Sequence, residues 1–401
     1  MTDSAPKPPQ PPEPEPAAAE PSPPPAEPPE HHTEAIATQA LAQLEHEWTQ
    51  LTTLQHSDRP LEHPLFAALA SGLPVAVGVL FGHMGWGLVS SLGGMVFLYT
   101  PNTPMNHRMV LLMACAFGLA ASYALGLGSH FLPWGMGRVL ALALIATVAT
   151  MLSRFYRIGP VGGLFFVMAA AIAAYARIEF EQIAFYVGLV FLGAFLALLL
   201  AFAYSAWRLW NGAAPQVESP APATFDVVVL DALIIGASVG VAQAVAEALQ
   251  FDRPYWASIA CIVVVQGATF RAVWSKQFQR VLGTAVGLML AGLLLSLPLG
   301  PWGRCGLMML MTFVGETLVV RHYAFGVMLF TPLSIFLVEA ANANADVGAL
   351  VEARFYDTLV GSVIGMLGGV AIHHAGTRAL IRRTLERLMP VRLARLIRMQ
   401  E

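Results

Sequence analysis

The sequence predicts an all-α polytopic membrane protein of about twelve transmembrane helices, arranged as two parallel six-helix repeats. Three observations lead there. The chain is 56% hydrophobic and only 12% charged, with a mean hydropathy of +0.63, whereas a soluble domain carries about 25% charged residues. Apolar runs approaching the ~20 residues that cross a bilayer recur along most of its length. Trp86 and Trp256 stand 170 residues apart, as do the Phe-Tyr pairs at 185–186 and 355–356. Two six-span halves in one orientation are related by an axis along the membrane normal.

Taken in order, residues 1–31 hold thirteen prolines among Ala, Glu and Ser, a composition that cannot bury a core and predicts a disordered cytosolic tail. Residues 32–58 read as a cytosolic helix with Ala37, Leu41, Leu44, Trp48 and Leu51 on one narrow stripe. The first membrane repeat occupies 59–207, with spans expected at 64–81, 86–100, 109–126, 136–153, 161–177 and 183–207. A linker (208–225) contains Pro215, Pro220 and Pro222. The second repeat occupies 226–375, with spans expected at 226–249, 255–270, 281–297, 305–320, 324–340 and 353–373. Residues 376–401 interleave seven arginines with leucines and form a basic amphipathic tail, kinked at Pro390 and suited to an anionic inner leaflet. That setting accounts for the basic tail without nucleic acid. The N-terminus carries no secretory signal, so the first span is expected to act as its own anchor.

Orientation follows from the cations. With the N-terminus inside, seventeen of the 22 Lys and Arg residues fall on the cytosolic side. Arg138, Arg177, Arg253, Arg304 and Arg354 are the exceptions. This bias places both termini in the cytosol. Cys115, Cys261 and Cys305 lie within apolar runs and read as buried free thiols.

No Walker loop, G-x-S-x-G, H-E-x-x-H or metal-spaced Cys/His cluster occurs. No catalytic residue, cofactor or metal is therefore expected, and the chain does not read as an enzyme. What remains is the polar content of the spans, where an ionisable group costs at least ~2.5 kcal/mol at mid-membrane and tends to face a cavity or a partner. Glu316, behind Met308–Val314, reads as a proton-exchanging carboxyl, as a carboxylate snorkelling to the interface, or as a partner of Arg321. Arg354 and Asp357 lie three apart, able to form a helix-end ion pair or to bind and orient a carboxylate. Arg271 and Lys276 are expected in a cytosolic loop, with Arg280 at the mouth of a helix bearing Gly283 and Gly287. That G-x-x-x-G spacing lets a neighbouring helix come close. Tyr255 and Trp256 suit either the headgroup level or contact with an aromatic ligand.

Four motifs carry a resemblance. Asp252-Arg253-Pro254-Tyr255-Trp256 is followed by Arg280-Val281-Leu282-Gly283-Thr284 and Gly287. Tyr323-Ala324-Phe325-Gly326 leads into Thr331-Pro332, and Arg354 and Asp357 lead into Gly361 and Gly365. Together they resemble the FUSC (fusaric acid resistance protein-like) family of bacterial inner-membrane aromatic acid exporters, over about 60–375. Where larger relatives place a sizeable soluble region between the halves, this sequence has only the 208–225 linker. A more distant resemblance is to plant aluminium-activated malate transporters, six-span anion channels that pair as dimers. A fused twelve-span repeat would match such a pair in one chain.

The resemblance implies an inner (plasma) membrane exporter of organic anions, aromatic carboxylic acids of the fusaric acid or hydroxybenzoate type. It also implies a periplasmic membrane-fusion adaptor and an outer-membrane channel as partners, beside the lipid bilayer, and leaves room for a homo-oligomer. With no nucleotide-binding loop, the proton gradient is the expected drive. Anion binding is expected at Arg280, Arg321 and Arg354, proton coupling at Glu316 and Asp357, and aromatic contacts at Tyr255 and Trp256. Two other readings stay open: an uncoupled anion conduit, and a non-transporting membrane scaffold recruiting partners through its Pro-rich tail.

Overall fold

The computed structural model describes residues 59–132, 136–159, 161–212, 224–267, 270–339 and 347–388. The readings made above for 1–31 and 32–58, for most of the linker and for everything after 388 (Pro390 included) lie outside these residues. Every regular element among the described residues is helical. The helices are α1 (Glu62–Leu80), α2 (Met84–Gly94, continued by a 3₁₀ turn over Met95–Tyr99), α3 (Met105–Ser129), α4 (Gly137–Phe155), α5 (Leu164–Ala174) and α6 (Ile183–Trp210). The second half holds α7 (Asp231–Ala248), α8 (Tyr255–Val265), α9 (Phe270–Leu295), α10 (Pro301–Val319), α11 (Tyr323–Glu339) and α12 (Val347–His373). A final helix, α13 (Ala375–Leu388), follows.

The solvent-facing chemistry of a soluble protein is inverted here. α4 exposes Leu140, Leu144, Val148 and Leu152, and α9 exposes Leu282, Val286, Met289 and Leu293, each series following one helix face. Asp231, Gln243, Ser258, Arg280, Arg354 and Asp357 are buried instead. Such apolar outer faces belong against lipid, and this is a multi-pass membrane protein. Each of the twelve expected segments falls on a helix. Among the described residues, seven helices are long and apolar enough to cross a membrane. Of the rest, α8 has 11 residues, about 17 Å at 1.5 Å per residue, against a hydrocarbon core of ~30 Å, and α10 carries Arg304 and Glu316.

One expectation is corrected. Arg271 and Lys276 do not lie in a loop, nor Arg280 at the mouth of a helix, because α9 already begins at Phe270. Hydropathy drops across these polar residues while the backbone stays helical, so the apolar run marks only the later part of the helix.

Helix contacts recur at six-helix spacing. α1 packs on α2 and α6, α2 on α6, α3 on α5 and α6, and α4 on α5. α7 likewise packs on α8 and α12, α8 on α12, α9 on α11 and α12, and α10 on α11. The halves meet along two seams that obey the same shift, α4 against α7 and α10 against α1. The contacts of α5 with α8 and of α3 with α4 are not repeated to the same extent. Glycines set the closest approaches. A Cβ on Gly283 or Gly287 would stand 2.7 Å from the carbonyl oxygen of Ala324 or Met328, so the G-x-x-x-G pair of α9 brings in α11.

Each seam is tied by an ion pair at one end. Arg154, near the end of α4, pairs with Asp231 at the start of α7. Arg59, ahead of α1, pairs with Glu316 near the end of α10 at 3.3 Å. A π-helical turn (Asp226–Leu230) leads into α7, and its i→i+5 pattern turns Asp226 and Asp231 the same way. Both hold Arg378 of α13, at 3.2 and 3.4 Å, so this arginine faces the bundle. Asp231→Ala leaves Arg154 and Arg378 without that carboxylate and is expected to cost about 1.5–3 kcal/mol, since both arginines are partly exposed and keep the Val227 carbonyl and Asp226. The check is thermal unfolding of the purified protein in detergent.

Candidate functional site

On α12, Arg354, Thr358 and Ser362 follow one another at four-residue steps with Asp357 beside them. This polar stripe is buried, with Asp357 and Ser362 at 0% exposure. It faces inward because α12 packs on α8 through Gly361 and Gly365. A Cβ on Gly361 would meet the carbonyl carbon of Ala257 at 2.8 Å, and one on Gly365 the Cys261 carbonyl oxygen at 2.7 Å.

Three other helices complete the cluster. α8 supplies Trp256, whose ring lies 3.5 Å beneath the Arg354 guanidinium, a close cation–π contact. α11 supplies Ser334, whose hydroxyl accepts from Arg354 Nη2 at 3.3 Å. α9, packed on α12, supplies Arg280, whose charge acts on Arg354. The polar valences are far from filled. Arg354 Nε and Nη1, Arg280 Nε, both Asp357 oxygens and the hydroxyls of Thr358 and Ser362 are buried without a hydrogen-bond partner among the described residues. Arg280, Arg354 and Asp357 share this apolar setting, with Asp252 and Arg253 also acting on Asp357 and Arg253 reaching the Tyr255 hydroxyl at 3.4 Å. Three cations against two carboxylates suit a small anion carrying its own hydrogen-bonding groups.

The structure gathers Arg280, Arg354, Asp357, Tyr255 and Trp256, and sets Glu316 and Arg321 apart. Arg354 and Asp357 are not joined as an ion pair: the guanidinium turns onto Trp256 and Ser334 instead. Tyr255 and Trp256 are not headgroup anchors, since at 5% and 3% exposure they are part of the core; α12 covers them. Glu316 bonds to Arg59 rather than to Arg321. Arg321 lies in the connection before α11, thirteen residues ahead of Ser334, or roughly 20 Å along the helix axis. Sequence reading missed Ser334, Thr358 and Ser362. The four-residue steps from Arg354 on an otherwise apolar helix were a legible signal for the last two.

Three of the four sequence motifs thus supply residues of the cluster, and the α11 motif ends at Thr331-Pro332, just ahead of Ser334. Residues 239–368 match the family described as fusaric acid resistance protein-like. That stretch includes every helix of the cluster, and the resemblance seen in the motifs is found there again. Among curated proteins, the chain is 33% identical over 157 residues to the "uncharacterized membrane protein YvaC" of Bacillus subtilis, covering 39% of this chain and 24% of that protein. It is 28% identical over 131 residues to the "uncharacterized protein YhfK" of Escherichia coli, covering 32% and 18%. The chain therefore spans about a quarter or less of the curated relatives it matches. No solved structure matches. The family match and the apolar helices together describe a multi-pass membrane protein that is fusaric acid resistance protein-like over residues 239–368.

Proposed function

We propose that this protein exports organic anions, aromatic carboxylic acids of the fusaric or hydroxybenzoic type, across a bacterial inner membrane at the expense of the proton gradient. The buried cluster of Arg280, Arg354 and Asp357 beside Trp256 and Tyr255 carries this reading. Groups that costly to bury are accounted for when a bound carboxylate takes the open guanidinium donors and its ring lies near the aromatic side chains. Arg321 gathers anions at the cytosolic mouth, Arg280 and Arg354 receive them in turn, and Asp357 exchanges the proton. In this reading the chain crosses the bilayer at all twelve expected segments, the short α5 and α8 completing their crossings with non-helical backbone buried in the bundle. The halves are a repeat, both termini are cytosolic, and a periplasmic adaptor and an outer-membrane channel complete the route.

The test is accumulation of radiolabelled 4-hydroxybenzoate in cells with and without the protein, each with and without a protonophore. Lower accumulation that the protonophore abolishes is the expected result. Protein-dependent flux that survives the protonophore and follows the anion gradient would replace coupled export by an anion conduit. No effect over a panel of aromatic acids, with the adaptor present and the protein in the membrane, would remove the reading.

The two candidate coupling carboxylates are expected to separate. Glu316 already has a cation at 3.3 Å, whereas neither oxygen of Asp357 is hydrogen-bonded among the described residues. Asp357→Asn is expected to abolish the protonophore-sensitive component. Glu316→Gln is expected to keep it and to lower thermal stability through loss of the Arg59 pair. The reverse pattern would move coupling to Glu316.

A further inference from the structure

The Arg354 site is one end of a longer arrangement. From the Trp256 ring under Arg354, the Tyr255 ring follows with centroids 5.1 Å apart, and the Tyr175 ring follows that at 5.7 Å. A second guanidinium, Arg138, lies over Tyr175 at 4.7 Å. Three rings from α8 and the end of α5 thus form a row with an arginine at each end. The row passes from the second half into the first and from the buried core toward the surface. Arg354 is 6% exposed, whereas the Arg138 side chain is 33% exposed.

The outer arginine already has a carboxylate. Glu247, at the end of α7, stands 4.0 Å from Arg138 and accepts a hydrogen bond from the Tyr175 hydroxyl. Gln243 donates to the same hydroxyl and accepts from Ser258 at 2.7 Å, with Gln243 and Ser258 both fully buried. Glu247 is thus positioned from below, and it occupies the place a ligand carboxylate would take on a cation lying over an aromatic face.

We infer that Arg138, with Tyr175, is a second station for the same aromatic carboxylates, and that Glu247 is its tethered competitor. This rests on the anion reading of the Arg354 cluster. An anion leaving Arg354 passes along the ring row and takes Arg138 by displacing the Glu247 carboxylate. The conserved-charge exchange of one carboxylate for another keeps Arg138 paired throughout and lets Glu247 expel the ligand by returning. Glu247 and Tyr175 are positioning residues in this scheme, whereas Arg138 touches the ligand.

Equilibrium binding of 4-hydroxybenzoate to the purified full chain tests the station. The wild type is expected to bind one molecule, at Arg354. Glu247→Gln removes the competitor without its bulk and is expected to add a second molecule per chain. Adding Arg138→Gln to Glu247→Gln should remove that second molecule. In the Arg354→Gln background the wild-type Glu247 chain should bind none, and Glu247→Gln should restore one. An unchanged single molecule in Glu247→Gln, with a folded protein by thermal unfolding and binding still lost in Arg354→Gln, would overturn the second station and leave the Arg354 site standing. No binding in any variant, wild type included, would overturn both.

Discussion

Arg354→Gln is expected to weaken 4-hydroxybenzoate binding by about 100-fold, the equivalent of ~3 kcal/mol for a buried charged contact, and to reduce export to the level of cells lacking the protein. The same substitution is expected to leave the thermal unfolding temperature unchanged or to raise it. The two directions share a cause. Arg354 is buried with Nε and Nη1 unbonded among the described residues, and the Arg280 charge adds repulsion. Replacing a buried charge whose partners are incomplete by a neutral group relieves a desolvation cost, and active sites commonly hold such stability in reserve. An arginine that served only the fold would behave differently: its loss would lower the unfolding temperature and spare binding in whatever protein remained folded. Measuring both quantities on one preparation decides between the roles. Arg354→Lys is informative as well, because it keeps the charge but loses the planar fork that stacks on Trp256 and bonds two oxygens at once.

Gly361→Leu is expected to abolish the monodisperse, detergent-stable protein. The side chain would point into the Ala257 backbone, where even a Cβ has no room, and backbone cannot swing aside as a flexible side chain can. Overpacking in ordinary cores costs about 1–3 kcal/mol. Here the obstructed contact is the α8–α12 crossing that holds Trp256 under Arg354, so the site and the fold should fail together. Gly361→Ala should give an intermediate result, with material that runs as a single peak but unfolds at lower temperature. Size-exclusion chromatography after solubilisation, followed by thermal unfolding of the surviving peak, gives both readings. A Gly361→Leu protein with the wild-type elution profile and unfolding temperature would show that the two helices do not cross at this point.

The helices were legible because burial and lipid exposure both demand apolar runs, and each of the twelve runs sits on a helix. The α9–α11 approach was legible too, since small residues four apart leave few other interpretations. What escaped depended on long-range partners. Glu316 finds Arg59 at 257 positions' distance in sequence, and nothing near either residue announces the other. Trp256 looked like a headgroup anchor because aromatic residues at span ends usually are; only the packing of α12 over α8 buries it. Arg138 and Tyr175 carry no local pattern at all, being ordinary residues at helix ends until Glu247 and Tyr255 are brought beside them. The length of α9 was hidden for a different reason, because hydropathy follows side chains while helices follow the backbone.

The two seam ion pairs also bear on which half may marry which. At both seams the first half supplies the cation, Arg154 in one and Arg59 in the other, and the second half supplies the anion, Asp231 and Glu316. Two copies of the first half docked the same way would set arginine against arginine, and two copies of the second would set carboxylate against carboxylate. Like charges forced together in a low-dielectric contact cost several kcal/mol. A six-helix half emerging from the ribosome therefore carries a label that rejects its own kind on a neighbouring chain and accepts the half that follows it.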